Sequence, residues 1–231
     1  MSGIFVALQG AAAQGVLWGM MVLGVYITFR LLDIADLTVD GSFALGGCVC
    51  ATLILGYNVD PVVALLAAFL AGAAAGAVTG ILHTVLEIPA ILAGILTQIS
   101  LWSVNLRIMG GKSNLPLLKT TTLISGVSDT FNITQAQASI LAGIILAVLI
   151  IAVLYWFFGT ELGSALRATG NNEDMIRALG VNTNKMKLFG LMLSNALVSF
   201  SGALVCQHQK YADINMGRGA IVIGLAAIVI G

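Results

Sequence analysis

The sequence predicts an all-α bundle of membrane-spanning helices, and three observations carry that prediction. Of its 231 residues, 59% are hydrophobic and only 9% are charged, against roughly 25% charged in soluble domains. The charges are also absent from seven long runs, residues 1–29, 41–59, 61–86, 88–106, 130–160, 188–209 and 219–231. A spanning helix needs about 20 mainly apolar residues. The runs therefore amount to six candidate spans and a seventh that the chain end cuts short. Ten acidic and ten basic residues cancel, so charge supplies no footprint for nucleic acid.

The first run has no basic segment before it and is followed by further spans, so it reads as a membrane helix and not as a cleaved leader. Cys48, Cys50 and Cys206 lie in or beside apolar runs at spacings that match no usual metal pattern, and read as small packing residues. Asp33, Asp36 and Asp40 crowd the mouth of the second run. Carboxylates at that depth are costly unless they face water or a cavity. One reading is functional; the other is a hydrated loop in which Asp40 or Ser42 caps the next helix.

Asp60-Pro61 is a helix cap followed by proline at the first helical position. Gly72, Gly76 and Gly80 then form a ridge that permits close helix approach, as Gly15 and Gly19 would in the first run, and packing inside one subunit is the favoured use. His83 and Glu87 sit one helical turn apart, where a hydrated pair is favoured over a proton relay. Gln98, Ser100, Ser103 and Asn105 put polar groups into the fourth run, to line a wet path or to bond neighbouring helices. Gly111-Lys112-Ser113 looks like the tail of a phosphate loop, but Leu106 stands where the motif needs glycine. Residues 110–137 read as a loop with room for a short re-entrant piece.

The stretch 159–189 differs from the rest in being polar, capped and helical between two apolar runs. Asn171 and Asn172 are N-cap candidates, Glu173 and Asp174 occupy the first turn, Arg177 the last, and Gly180 follows. Met175, Ile176 and Leu179 fall on one face of this helix of about two turns. Helices shorter than ~12–15 residues are marginal alone, so its apolar face needs a partner surface. No catalytic constellation accompanies it. Transport is the economical reading, with an ion-coupled secondary transporter using Asp33, Asp36, Asp40 or Glu87 as the alternative.

Three separated segments bring a family into view. Gly163-Ser-Ala-Leu-Arg167-Ala-Thr-Gly170-Asn-Asn172-Glu173 through Ala178-Leu-Gly180-Val-Asn182, with Lys185 and Lys187, resembles the cytoplasmic coupling loop of ABC importer permeases of the branched-chain amino acid and ribose type. Asp36-Leu-Thr38-Val39 with Gly41-Ser42 resembles that family's D-L-S-V-G-S segment, interrupted here by Asp40. Residues 219–231 resemble its Gly-rich late helix. Asp40 and the run Ala212-Asp213-Ile-Asn-Met-Gly217 are similar to a branch paired with a binding lipoprotein, for which aromatic amino acids are the implied substrate.

The resemblance implies one permease domain over residues 1–231, C-terminally truncated by about two spans, in the cell membrane. It implies a second permease subunit (a homodimer), a cytoplasmic ABC ATPase that hydrolyses the ATP, and an extracytoplasmic solute-binding protein; the chain itself has no cofactor and is no enzyme. Residues 160–187 would be the coupling loop. There Met175, Ile176 and Leu179 would supply the buried face, Glu173, Asp174 and Arg177 the rim, and Asn172 and Gly180 the caps. Asp36, Thr38, Ser42, Gln98 and Asn195 would mark the translocation path of a small solute. Basic residues at Arg167, Arg177, Lys185 and Lys187 favour that loop lying inside; counting back through the runs then puts the N-terminus outside, while the opposite orientation requires one early run, residues 37–56, to be broken or re-entrant, and the basic residues of the 107–119 loop keep both open.

Overall fold

The computed structural model describes residues 2–118 and 120–230. In chain order these form α1 (Ser2–Tyr26), a π-helical turn (Ile27–Leu31), α2 (Val39–Tyr57), α3 (Pro61–Thr84), α4 (Ala90–Ile108) and β1 (Asn114–Pro116). Then come α5 (Leu123–Phe131), α6 (Gln135–Phe158), α7 (Glu161–Asn171), α8 (Glu173–Ala178), α9 (Thr183–Gln209), β2 (Tyr211–Asp213) and α10 (Ala220–Ile230). Six are long and apolar enough to cross a membrane: α1 with its π turn, α2, α3, α4, α6 and α9. The seventh run appears as the shorter α10, with Gly231 outside the described residues.

The axis of the bundle is α9, packed against α1, α2 and α3 and buried over most of its length. Apolar burial does not drive helices together in lipid, so close contact and interhelical hydrogen bonds must. Ser194, Ser199 and Ser201 each donate at 2.7 Å to a neighbouring carbonyl, those of Gly24, Ala68 and Leu17. Gly72 and Gly76 lie directly on the α9 backbone at Asn195 and Leu191, where a Cβ would overlap a carbonyl oxygen. The glycine ridge is thus consumed inside the subunit. Gly15 and Gly19 have no such neighbour among the described residues.

These contacts also fix direction. Ser194 meets Gly24 and Ser201 meets Leu17, so α1 runs antiparallel to α9. The start of α9, with α7 and α8, lies at one end of the bundle; the antiparallel β1–β2 pair, with Pro116 opposite Tyr211, lies at the other. The amino end of α1 is at the β1–β2 end.

Two local expectations change. The 110–137 connection is not a plain loop: it contains β1 and the helix α5, which starts with a capping box between Thr122 and Ser125 and is tied to α9 through Gln207 Oε1, the acceptor for Leu123 N–H at 2.8 Å. The reading in which Asp40 or Ser42 caps α2 is not met, since neither side chain does so. The two Asp40 carboxylate oxygens accept Gly219 N–H at 3.0 Å and Ile221 N–H at 2.9 Å, capping α10 instead. A first-turn carboxylate can turn aside because α2 begins on the buried Thr38 without a side-chain cap, whereas α10 brings free N–H groups and a positive dipole end against it. Asp60 does cap α3, accepting Val62 N–H at 2.8 Å with Pro61 next.

Candidate coupling end and buried polar network

At the α7–α8–α9 end the chain turns sharply twice, and each turn is fixed locally. Asn172 closes α7 and opens α8, its Oδ1 accepting Met175 N–H at 3.0 Å. Gly180 stands at φ +88°. Its N–H reaches Arg177 O at 3.0 Å and Val181 N–H reaches Ile176 O at 3.3 Å, the paired closure of a helix that ends on a left-handed residue. Asn182 then caps α9, accepting Lys185 N–H at 3.1 Å.

Glu173 ties α8 to the first turns of α9. One carboxylate oxygen accepts from Arg177 at 2.8 Å and from the Thr183 hydroxyl at 3.0 Å; the other accepts from Lys187 Nζ at 2.6 Å. The Lys187 hydrogen bond, aided by Thr183 and by both cations, holds the Glu173 carboxyl below the usual carboxylate range. Glu173 was expected at the rim of a docking surface, yet its acceptors face its own protein. Asp174 has no side-chain bond among the described residues and is exposed.

The apolar face also divides differently from the expectation. Ile176 is only 6% exposed, turned into the end of the bundle where α8 packs on α7 and α9. Met175 and Leu179, one turn apart, are 51% and 71% exposed. A two-turn helix has room for two apolar stripes, and α7 lies against one of them. The outward pair is Met175 with Leu179, not Ile176 with Leu179.

Of the five residues expected along a path, four converge. Asn195 Nδ2 donates to Asp36 at 2.6 Å and to Leu191 O at 3.0 Å, while its Oδ1 accepts from Ser42 Oγ at 2.6 Å. Asp36 also accepts Thr38 N–H at 2.9 Å, and the Thr38 and Thr79 hydroxyls share a 2.8 Å bond. All are buried. The network fastens the non-helical break between α1 and α2 onto α9 and α3. A hydrogen-bonded carboxyl group is what burial at this depth demands. Gln98 is elsewhere, in the wall of a cavity between α2, α4 and the β2–α10 connection. Thr79, which the sequence reading did not single out, had only its place on the ridge helix to mark it.

The remaining candidates settle quietly. His83 Nδ1 bonds Ile88 O at 2.9 Å and is not joined to Glu87. The three cysteines are buried and free, and no metal-binding group of His, Cys, Asp or Glu is found among the described residues.

Six spans, one of them the central α9, with a short capped helix carrying exposed apolar side chains at one end, define a polytopic membrane protein. The chain belongs to the branched-chain amino acid transport system / permease component family, whose model matches residues 7–231. It is 40% identical to the tyrosine transport system permease protein of Clostridioides difficile (strain R20291) over 231 residues, all of this chain and 73% of that protein. It is 37% identical over 222 residues to an uncharacterized protein of Rickettsia prowazekii (strain Madrid E), covering 96% and 75%. Over 196 residues it is 28% identical to the ribose import permease protein RbsC of Escherichia coli (strain K12), covering 85% and 60%. No solved structure matches the chain. It is therefore the permease component of an ABC importer in the cytoplasmic membrane, in a family whose transport is driven by a partner ATPase and which generally works with a solute-binding protein.

Proposed function

We propose that the chain imports an amino acid, working as one of two permease copies that receive the solute from an extracytoplasmic binding protein and dock on a cytoplasmic ABC ATPase through α8. The observation that carries this is the pair Met175 and Leu179, large apolar side chains held outward in water on a helix whose other contacts are fixed. Such a pair suits a groove on a soluble partner, with Asp174 and Arg177 orienting the contact.

Motion of α8 has a physical route inward. Glu173 ties α8 to Lys187 on α9, and two turns further along α9 Asn195 holds Asp36 and Ser42. Displacing α9 along its axis strains those bonds and tilts α2 against α3. An amino acid as solute is supported by the printed names of the family and of the Clostridioides difficile relative.

The test is uptake of labelled amino acids into proteoliposomes carrying the chain, its ATPase and its binding protein. Uptake that needs ATP and the ATPase is expected. Uptake driven by a proton or sodium gradient without ATP would overturn the reading in favour of secondary transport.

A further inference from the structure

We infer that the cleft between the π-helical turn and α7 holds the phosphate of an anionic membrane phospholipid, gripped by Arg30 and Arg167. The inference goes beyond solute import and concerns how this subunit sits in its bilayer. Span length fixes the depth of the site. Arg30 stands in the π turn that ends the spanning segment Ala7–Leu31. Arg167 belongs to α7, yet its Nη2 donates at 2.8 Å to the carbonyl of Phe158, the last residue of the span α6, and its guanidinium lies 6.0 Å from the centre of the Phe158 ring. The span α6 starts beside the carboxyl end of α9, where Ser139 bonds His208 at 2.7 Å, so α1 and α6 run in the same direction. They cross where Gly143 packs on Val16 and Leu17, and from there each runs on by a similar number of residues, to Arg30 and to Phe158. Both guanidinium groups are therefore held where the spans leave the hydrocarbon, at the level of lipid phosphates.

A separate observation marks the same level. Tyr155 and Trp156, in the last turn of α6, are 84% and 73% exposed, and aromatic side chains so placed at the end of a span sit among headgroups. The cleft beside them is built on fixed elements. Gly170, one turn beyond Arg167, lies so close to the π turn that a Cβ would overlap the Leu31 carbonyl oxygen, and Asp33 turns the chain away at φ +55°. The space between is about 440 Å³, inside the range of small-molecule sites.

Charge decides the headgroup. Arg30, Arg167 and Asp33 line the one cleft, and two guanidinium groups against one carboxylate leave a single positive charge, which a phosphodiester cancels. Arg167 spends one N–H on Phe158 and keeps the rest of its fork, whose geometry matches phosphate oxygens. A choline headgroup sets a quaternary ammonium beside two cations and has no N–H to give Asp33. A glycerol headgroup brings hydroxyls and no opposing charge, so phosphatidylglycerol suits the cleft and phosphatidylcholine does not. Basic pockets between spans hold anionic headgroups by this same balance.

The test is native mass spectrometry of the purified full chain titrated with phosphatidylglycerol and phosphatidylcholine of identical acyl chains at equal concentration. The first lipid retained is expected to be phosphatidylglycerol by about tenfold, the effect of two cations at headgroup level. Arg30→Gln combined with Arg167→Gln should bring the two lipids level. Arg167→Lys, which keeps the charge and gives up the fork, should fall between. Diacylglycerol, with the same chains and no phosphate, should not compete, and neither should millimolar inorganic phosphate, which lacks the chains. Equal retention of the two lipids by the unaltered protein, a preference that survives the double substitution, or competition by diacylglycerol would overturn the site. Displacement by inorganic phosphate would overturn it in favour of a soluble anion.

Discussion

Asp36 and Leu179 are each out of place for their surroundings, one a carboxylate among spanning helices and the other a leucine in water. The structure treats them oppositely. Asp36 is fully answered from within, by Asn195 and by Thr38 N–H, so its polarity serves to fasten a break in the helical path. Leu179, like Met175 beside it, stays largely uncovered by the rest of the described chain. The lesson is that an unusual residue type flags a position, whereas its partners decide what the position is for. A satisfied buried polar group is a structural joint, and an exposed apolar pair on a fixed mount is where we propose that a partner docks.

The largest effect should come from opening the buried joint. Asn195→Leu strands an Asp36 oxygen and the Ser42 hydroxyl at once, and each buried polar group left without a hydrogen bond costs about 1–3 kcal/mol. The detergent-solubilised protein should lose thermal stability clearly and lose uptake with it. If Asn195→Leu were stable and transported normally, Asp36 would be reached by water and the joint would not exist.

Next in size is the inward stripe of α8. Ile176→Ala removes a buried side chain at a bundle end and should destabilise by about 2 kcal/mol, the low end for such truncations. Amide exchange in α8 would speed up as a result. An unchanged exchange pattern would mean that Ile176 faces outward after all.

Gly180→Val tests the turn without touching any apolar contact. At φ +88° a β-branched residue is strained by ~1–2 kcal/mol or gives up the turn. Uptake and ATPase association should both fall while the spans keep their stability. A silent substitution would show that the exit from α8 is freely reshaped.

The smallest expected effect concerns Glu173. Because its folded-state pKa is lowered, chiefly by the Lys187 hydrogen bond, its contribution is complete above the ordinary carboxylate pKa and disappears as pH falls through the lowered value. The pair is part-exposed, so its share is less than ~1 kcal/mol. Glu173→Gln should reproduce at neutral pH the faster α8 exchange that the unaltered protein shows in acid. Equal protection in both proteins at every pH would remove Glu173 from the joint.

Much of this was legible in the residues. Charge-free runs marked all six spans, and Asn172 and Gly180 marked the ends of α8, because spans and caps are written in consecutive residues. Pairing across the bundle was not. Nothing near Asp40 in the chain says that its carboxylate serves Gly219 and Ile221. Likewise, periodicity put Met175, Ile176 and Leu179 on one face of α8, but only the position of α7 beside it decides that Ile176 turns in. The two paired strands, three residues each, were too short to leave a period, and Gln98 shared its polarity with Asn195 while sharing none of its contacts.

The central claim is that α8 presents Met175 and Leu179 to a partner while Ile176 belongs to the permease. It is met most directly by measuring ATPase affinity and thermal stability side by side for Leu179→Ala and Ile176→Ala. Leu179→Ala should weaken ATPase association by roughly tenfold or more, as loss of an interface anchor does, with the melting temperature unchanged. Ile176→Ala should lower the melting temperature. Full ATPase affinity in Leu179→Ala would contradict the account.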